Sequence, residues 1–403
     1  MVIGIIGGGA SGMAAALEAA RNDDVQVLLF ERQARVGKKL LATGNGRCNL
    51  TNLNADGRSY HGDAPAFAEY ALSAYPVEDT LHWFSQLGLL TVNEESGRVY
   101  PYSDQANSVV DVLRFGLQKE NIRLLTGAEV TRVKKAGEVF TVTCNGDSFA
   151  CDKLIVACGG LAGTKLGGSM SGYQLLRSFG HKCNKLRPAL VQLKSDWNGC
   201  VALKGVRTNC VVEIFHNDNL CATNSGQLQF TEYGLSGPVI FDISRDVCQG
   251  AGQWLCKLNF LPSVQPQWLA QELLRRKEMP IGTDDLLTGI LHNRLGRVLT
   301  AAAGIRPQDR CRDLTESDIC RVAALVQGLE VTLTGTMGMD SAQVTAGGIS
   351  TVEFDPETME SRLVPGLYAC GEVLDIDGDC GGYNLQWAWS SGRLAGASAG
   401  GSL

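Results

Sequence analysis

Six residues near the start of the chain, Gly7-Gly8-Gly9-Ala10-Ser11-Gly12, have the types and spacing of a phosphate cradle, G-x-G-x-x-G. Gly7 permits a tight turn, Gly9 lets backbone approach a pyrophosphate, and Gly12 lets a helix touch a strand. The N–H groups of a helix that starts here, and its dipole, then face the phosphates. The carboxylate of Glu31, nineteen residues past Gly12, is placed to accept hydrogen bonds from both ribose hydroxyls and disfavours a 2′-phosphate. The pattern alone does not separate FAD from NAD, and a glycine turn with no ligand is the plain alternative.

Two further segments favour the flavin. Gly37-Lys38-Lys39 and Thr43-Gly44-Asn45-Gly46-Arg47-Cys48-Asn49-Leu50-Thr51-Asn52 mix glycines with ammonium, amide and guanidinium groups just beyond Glu31. Such a loop runs along an extended dinucleotide and sets donors beside a ring system. Near the other end, Gly371-Glu372 follows an apolar run, and Gly381-Gly382-Tyr383-Asn384 opens a helix. A second glycine-opened helix N-terminus stabilises the negative charge of a reduced flavin over N1 and the C2 carbonyl. Glu372 is suited to a ribityl hydroxyl. A nicotinamide dehydrogenase has no evident use for this second site.

The elements that position these residues are legible around them. Val2–Ile6 is a buried strand, Met13–Ala20 a helix of small side chains, and Val25–Phe30 a second strand, which makes a β-α-β unit. Residues 65–87 and 108–118 have helical spacing. Strands are expected at 122–125, 129–134 and 139–144, and the apolar run 153–158 ends in Gly159-Gly160 as a further parallel strand. From Val191 to Pro262 the chain alternates and turns often, with Val239-Ile240-Phe241 read as part of a β-rich module. Helices are expected at 268–274, 285–303 and 319–326, and a strand at 329–333. The style of the N-terminal region resumes at Thr345, with a strand at 366–370 and a final helix. The expected organisation is α/β: a nucleotide domain split into 1–190 and 343–403, a β-rich insertion of 191–264 and 328–342 on the substrate side, and a helical insertion of 265–327.

Composition narrows the class. The chain has 403 residues, 44% of them hydrophobic, so it buries a sizeable core and is not disordered. Lys and Arg number 36 against 42 Asp and Glu, a net charge of −6. Without basic runs, that balance offers no general attraction for nucleic acid or an anionic membrane. The N-terminal apolar run lacks a basic flank and stops at three glycines, and nothing approaches the roughly 18 apolar residues of a membrane span. We therefore read the chain as soluble and cytoplasmic. Its 14 cysteines include no C-x-x-C; Cys151 and Cys158 stand seven residues apart, and Cys248 and Cys256 eight. Neither a disulfide framework nor a metal site is expected, and the five scattered histidines read as surface or core residues.

Four segments together resemble the bacterial NAD(P)/FAD-dependent oxidoreductases of the aminoacetone oxidase-like and bile-acid flavin reductase type. They are residues 44–52, Phe230-Thr231-Glu232-Tyr233-Gly234-Leu235-Ser236-Gly237-Pro238, Val344-Thr345-Ala346-Gly347-Gly348-Ile349 and Gly381-Gly382-Tyr383-Asn384-Leu385-Gln386. The resemblance runs in order through essentially the whole chain. It implies non-covalent FAD, a split Rossmann-like FAD-binding domain, a β-barrel-like insertion and a small helical insertion. It places Gly7, Gly9, Ala10, Ser11 and Gly12 at the pyrophosphate, Glu31 and Arg32 at the adenosine, and Glu129 and Val130 beside adenine. Lys38 and the loop Asn45, Gly46, Arg47, Cys48 and Asn49 approach the phosphates or flavin. Ala157, Gly159 and Gly160 lie near the ribityl path, and Gly371, Glu372, Gly382, Tyr383 and Asn384 serve the ribityl and flavin end. The loop Leu161-Ala162-Gly163-Thr164-Lys165-Leu166-Gly167-Gly168 departs from the more polar, Pro-containing loop of many relatives.

The expected chemistry is hydride transfer at flavin N5, with the protein supplying orientation and electrostatics. Arg47 and Tyr383 are the candidate catalytic residues, Arg47 to favour the anionic reduced flavin or polarise a carbonyl, Tyr383 to donate a proton or line the pocket. Both also fit a role limited to holding FAD. Cys48 and Cys380 are candidates for the flavin's surroundings and read first as core residues. No second G-x-G-x-x-G follows a strand, so NAD(P)H either binds transiently over the flavin or is replaced by a substrate that reduces it. Reduction of an activated C=C, such as a steroid-like enone, by NAD(P)H is the leading reading. Oxidation of a small primary amine such as aminoacetone with O2, a flavin-dependent RNA-binding or modifying protein, and a flavin holder without turnover stand beside it. The partner expected is a small molecule, and the oligomeric state is left open.

Overall fold

The computed structural model describes residues 1–247 and 252–401; Cys248 lies outside them. The chain divides into two units, Met1–Pro188 with Gln343–Leu403, and Ala189–Ala342.

The first unit is built on a parallel five-stranded sheet in the order Leu367–Ala369, Lys153–Val156, Val2–Ile6, Gln26–Glu31, Ile122–Thr126. Ile5 pairs with Ile155 on one side and Leu29 on the other, and all three are fully buried. A run of β-branched and aliphatic residues is what a strand covered on both faces requires. The outermost strand comes from the far end of the sequence, so the sheet is completed only after the second unit has been made. A three-stranded antiparallel sheet follows the pattern expected at 129–144 and adds Asp147–Cys151, a short strand whose polar start and mostly exposed residues gave little hydrophobic signal.

The small side chains of the first helix, Ala10–Ala19, serve a helix–helix contact as well as the sheet. The C-terminal helix, Tyr383–Gly400, presents Gly392, Gly396 and Gly400 one turn apart. A Cβ at Gly392 would stand 2.4 Å from the Ser11 carbonyl oxygen, and one at Gly396 2.3 Å from that of Ala15. The two backbones approach that closely because nothing but hydrogen lies between them.

His181, Glu353 and Ser361 line up with the spacing of a hydrolytic triad. Nδ1 lies 2.9 Å from Glu353 Oε2, and Nε2 lies 2.9 Å from Ser361 Oγ. The serine is not a nucleophile. Its side chain is buried, and Oγ accepts the N–H groups of Leu363 and Val364. Burial pushes the imidazole below its ordinary pKa against the pull of Glu353. A neutral ring then donates from Nδ1 and accepts from the hydroxyl at Nε2, which ties residues 353–364 to the end of the helix Ser171–Ser178.

The second unit holds a closed barrel of six strands: Leu193–Ser195, Gly234–Ser236, Asn219–Thr231, Arg207–His216, Trp254–Asn259 and Leu329–Thr336, in that order around the barrel. Its helices Pro266–Lys277, Asn293–Ala302 and Glu316–Gly328 share one core with the strands, in which Val212, Leu258 and Val331 join Leu273, Leu299 and Val326. Two expectations are corrected here. Val239–Phe241 lies in a helix, Pro238–Ile243, because Gly237 at φ +102° turns the chain and Pro238 occupies the first helical turn, where its missing N–H costs nothing. The helix expected from Asp285 begins only at Asn293, after Gly289 at φ +80° breaks the run and His292 caps the new start by accepting from Arg294 N–H.

Candidate active site

Parallel strands open their carboxyl ends on one side of a sheet, and ligands bind there. The turn Gly7–Gly12 follows Val2–Ile6, Gly159-Gly160 follow Lys153–Val156, and Gly371-Glu372 follow Leu367–Ala369. All three glycine segments therefore face one crevice.

The glycines of the first turn differ in what demands them. Gly7, at φ +110°, would put a Cβ 2.4 Å from the Ala157 carbonyl oxygen, and Gly12 one 1.8 Å from that of Gly7. The fold itself requires both. Gly9 is different: its backbone is extended (φ −81°) and a Cβ there meets nothing within 4 Å. It caps the first helix with no side-chain hydrogen bond and no acidic residue in the first turn. Open space in front of uncapped N–H groups is what an anion needs. Ala10 follows at the helix start, whereas Ser11 is buried with its hydroxyl close under Gly371.

Glu31 ends the second strand, with Oε2 accepting Gly8 N–H at 2.8 Å and Oε1 accepting Gln33 N–H at 2.7 Å. Each oxygen keeps a lone pair for a ribose hydroxyl. Ala128 N–H donates to the Glu31 carbonyl at 2.9 Å, which brings the buried Val130 and the exposed Glu129 to the same end. Arg32 donates to the Gly167 carbonyl at 2.5 Å and so anchors the loop 161–168.

The loop after Gly37 separates the two lysines. Lys38 is exposed and, among the described residues, reaches Gln33 Oε1 at 3.4 Å. Lys39, which the sequence reading passed over, places Nζ 2.9 Å from Glu372 Oε2. No sequence signal distinguishes adjacent lysines; the direction of the backbone decides. Gly44, Asn45 and Gly46 are left-handed in succession (φ +56°, +57° and +86°), and Cys48 is left-handed at +62°. Arg47 is ion-paired with Asp104 and with Glu94 (3.1 Å), its guanidinium 3.9 Å above the Tyr100 ring. Its charge is thus spent on its own neighbourhood. Cys48 is fully buried and its thiol is pushed up to about 12 by desolvation, so it is a core residue without thiolate character. Cys380 is half-buried.

At the far end of the crevice, Gly382 at φ +107° caps the C-terminal helix, again with no side-chain hydrogen bond. A Cβ there would stand 2.4 Å from the Thr51 carbonyl oxygen and 3.0 Å from Asn49 Oδ1. That Asn49 oxygen is buried without a hydrogen-bond partner. An unmet acceptor beside uncapped N–H donors complements an O=C–N–H edge, such as that of a flavin pyrimidine ring. Asn384 instead closes its own loop, accepting Gly378 N–H at 2.8 Å and donating to its carbonyl at 2.7 Å. Tyr383 packs edge-on to Tyr60, with centroids 6.4 Å apart. Glu372 Oε1 accepts Thr345 N–H at 2.8 Å. Gly159, at φ +68°, again has open space where a Cβ would stand. Among the described residues, no group of three or more His, Cys, Asp or Glu side chains is arranged to hold a metal ion, and no helix is long and apolar enough to cross a membrane.

A split Rossmann-type sheet with two glycine-capped helices facing one crevice defines a dinucleotide-binding domain. Residues 1–398 match the HI0933-like protein Rossmann domain, and the chain belongs to that family. It is 42% identical to the 3-dehydro-bile acid delta(4,6)-reductase of Clostridium scindens, over 98% of both chains. It is 34% identical to the ribosomal RNA dihydrouridine synthase of Escherichia coli, over 96% of this chain and 95% of that one. Identity to the Haemophilus influenzae ribosomal RNA dihydrouridine synthase is 30%, with the same coverage. The chain is an oxidoreductase.

Proposed function

We propose that this enzyme binds FAD without a covalent bond and saturates a C=C bond conjugated to a carbonyl, with NAD(P)H as the donor. The observation that carries this reading is the pairing of two ends: the open space at Gly9, fit for a pyrophosphate, and the unmet Asn49 Oδ1 beside the uncapped Gly382 terminus, fit for a pyrimidine edge. When bound, the flavin would supply hydride transfer through N5, from NAD(P)H to the substrate carbon β to the carbonyl. The chain holds the ADP portion at Gly9 and Glu31, the ribityl chain at Glu372, and the ring at Asn49 and the Gly382 terminus. Tyr383, the first residue of that helix, is assigned the proton that completes the reduction at the α-carbon.

The names of the relatives support the bond type. A 3-dehydro bile acid with 4,6 unsaturation is a conjugated ketone, and dihydrouridine is uridine whose ring C=C, also conjugated to a carbonyl, has been saturated. Among such substrates we favour a steroid-like enone. The more similar relative acts on one, and a net charge of −6 without basic runs gives no hold on an RNA backbone.

Anaerobic rapid mixing tests the reading. NAD(P)H is expected to bleach the flavin of the holoenzyme, and a 3-keto-4-ene steroid to restore its colour. Tyr383→Phe should slow the second step by about 100-fold and leave the first unchanged. Restoration by a ribosomal RNA transcript and not by the steroid would move the substrate class to RNA. Bleaching by aminoacetone and not by NAD(P)H would overturn the direction of the reaction.

A further inference from the structure

Glu372 sits in an awkward place for a carboxylate. It follows the strand next to Lys153–Val156, in the crevice that a pyrophosphate would enter, where its charge repels any anionic ligand. It is also fixed there. Oε1 accepts Thr345 N–H at 2.8 Å, and the missing Cβ of Gly160 would stand 2.3 Å from the same oxygen, so the carboxylate lies flat against backbone. Its other oxygen meets Lys39 Nζ at 2.9 Å. Lys39 reaches it from the segment after Gln26–Glu31, two residues beyond Gly37, whose N–H donates to the Gly8 carbonyl at 2.8 Å. The pair therefore joins loops from opposite sides of the glycine turn. With side-chain exposures of 32% and 20%, it is shielded enough for its charges to matter to a neighbour.

We propose that Lys39 is the counter-charge that makes Glu372 tolerable beside an anionic dinucleotide. It is a positioning residue that acts through Glu372 and not by gripping the cofactor itself. Glu372 keeps its hydrogen-bonding capacity for the ribityl chain while the pair as a whole is neutral towards the phosphates. The inference rests on the FAD reading above.

A double-mutant cycle on FAD affinity tests it, read by flavin fluorescence during reconstitution of stripped protein. The variants are K39M, E372Q and the two combined, with K39Q as a second lysine replacement and the melting temperature of each apoprotein as a check on folding. K39M and K39Q are expected to weaken FAD binding about 30-fold, and K39M/E372Q to bind within about threefold of E372Q alone. Unchanged affinity in both lysine variants overturns the proposal. So does an additive double mutant, which would mean that Lys39 acts independently of Glu372. Wild-type protein that takes up no FAD would instead sink the cofactor reading and be told apart by that alone.

Discussion

Gly9→Asp is expected to abolish flavin uptake while leaving the fold intact. At Gly7 or Gly12 a side chain collides with backbone, so a loss of cofactor there would say nothing about ligand contact. Gly9 separates the two demands. Its backbone lies in a region open to any residue, and a Cβ meets nothing within 4 Å. An aspartate there also suits a helix N-cap, so the apoprotein should melt no lower than wild type. The same carboxylate would occupy the space assigned to the pyrophosphate and oppose its charge. FAD affinity is expected to fall at least about 100-fold, or some 3 kcal/mol. The checks are fluorescence titration and thermal melting of the apoprotein. Full flavin loading of Gly9→Asp would show that the pyrophosphate lies elsewhere.

The second large effect lies away from the crevice, where the two glycine-packed helices meet. Arg393 is 4% exposed, donates to Glu18 Oε2 at 3.0 Å and to Asp79, and lies over the rings of Tyr75 (4.3 Å) and Trp83 (5.3 Å). Glu18 is itself buried, and its remaining partner, Arg21, has a largely exposed side chain. Arg393→Met keeps much of the volume and removes the charge, leaving Glu18 underpaired in the interior. Breaking a buried pair from one side costs about 3–5 kcal/mol. For a unit of this size that is a drop of roughly 10 °C in melting temperature. Glu18→Gln in the same background should recover part of it. A loss below about 1 kcal/mol for Arg393→Met in denaturant melts would mean that water reaches the cluster.

Local chemistry was legible in the sequence. The first strand, the glycine turn, the helix and Glu31 lie within 31 consecutive residues, where periodicity and turn chemistry speak directly. The second glycine-opened helix was read from its own residues too, and the family resemblance extended the reading to a barrel-like insertion. What stayed hidden depends on partners distant in sequence. Gly392 and Gly396 are glycines because of Ser11 and Ala15, some 380 residues earlier, and nothing in the C-terminal segment announces it. Arg47 looked free for a substrate until Glu94 and Asp104 were found beside it. Lys39 is indistinguishable from Lys38 until Glu372 is seen at its tip. The misread helix at Pro238–Ile243 is of another kind. Its β-branched residues argue for strand, and the glycine–proline start outweighs them.

The most direct measurement is chemical identification of what purified protein releases when it is denatured. About one FAD per chain, set free without a covalent remnant, is the predicted result. Release of no flavin, together with failure of the apoprotein to take up added FAD, would contradict the account, as would FMN in its place, since the Gly9 opening and Glu31 are assigned to an adenosine diphosphate that FMN does not carry.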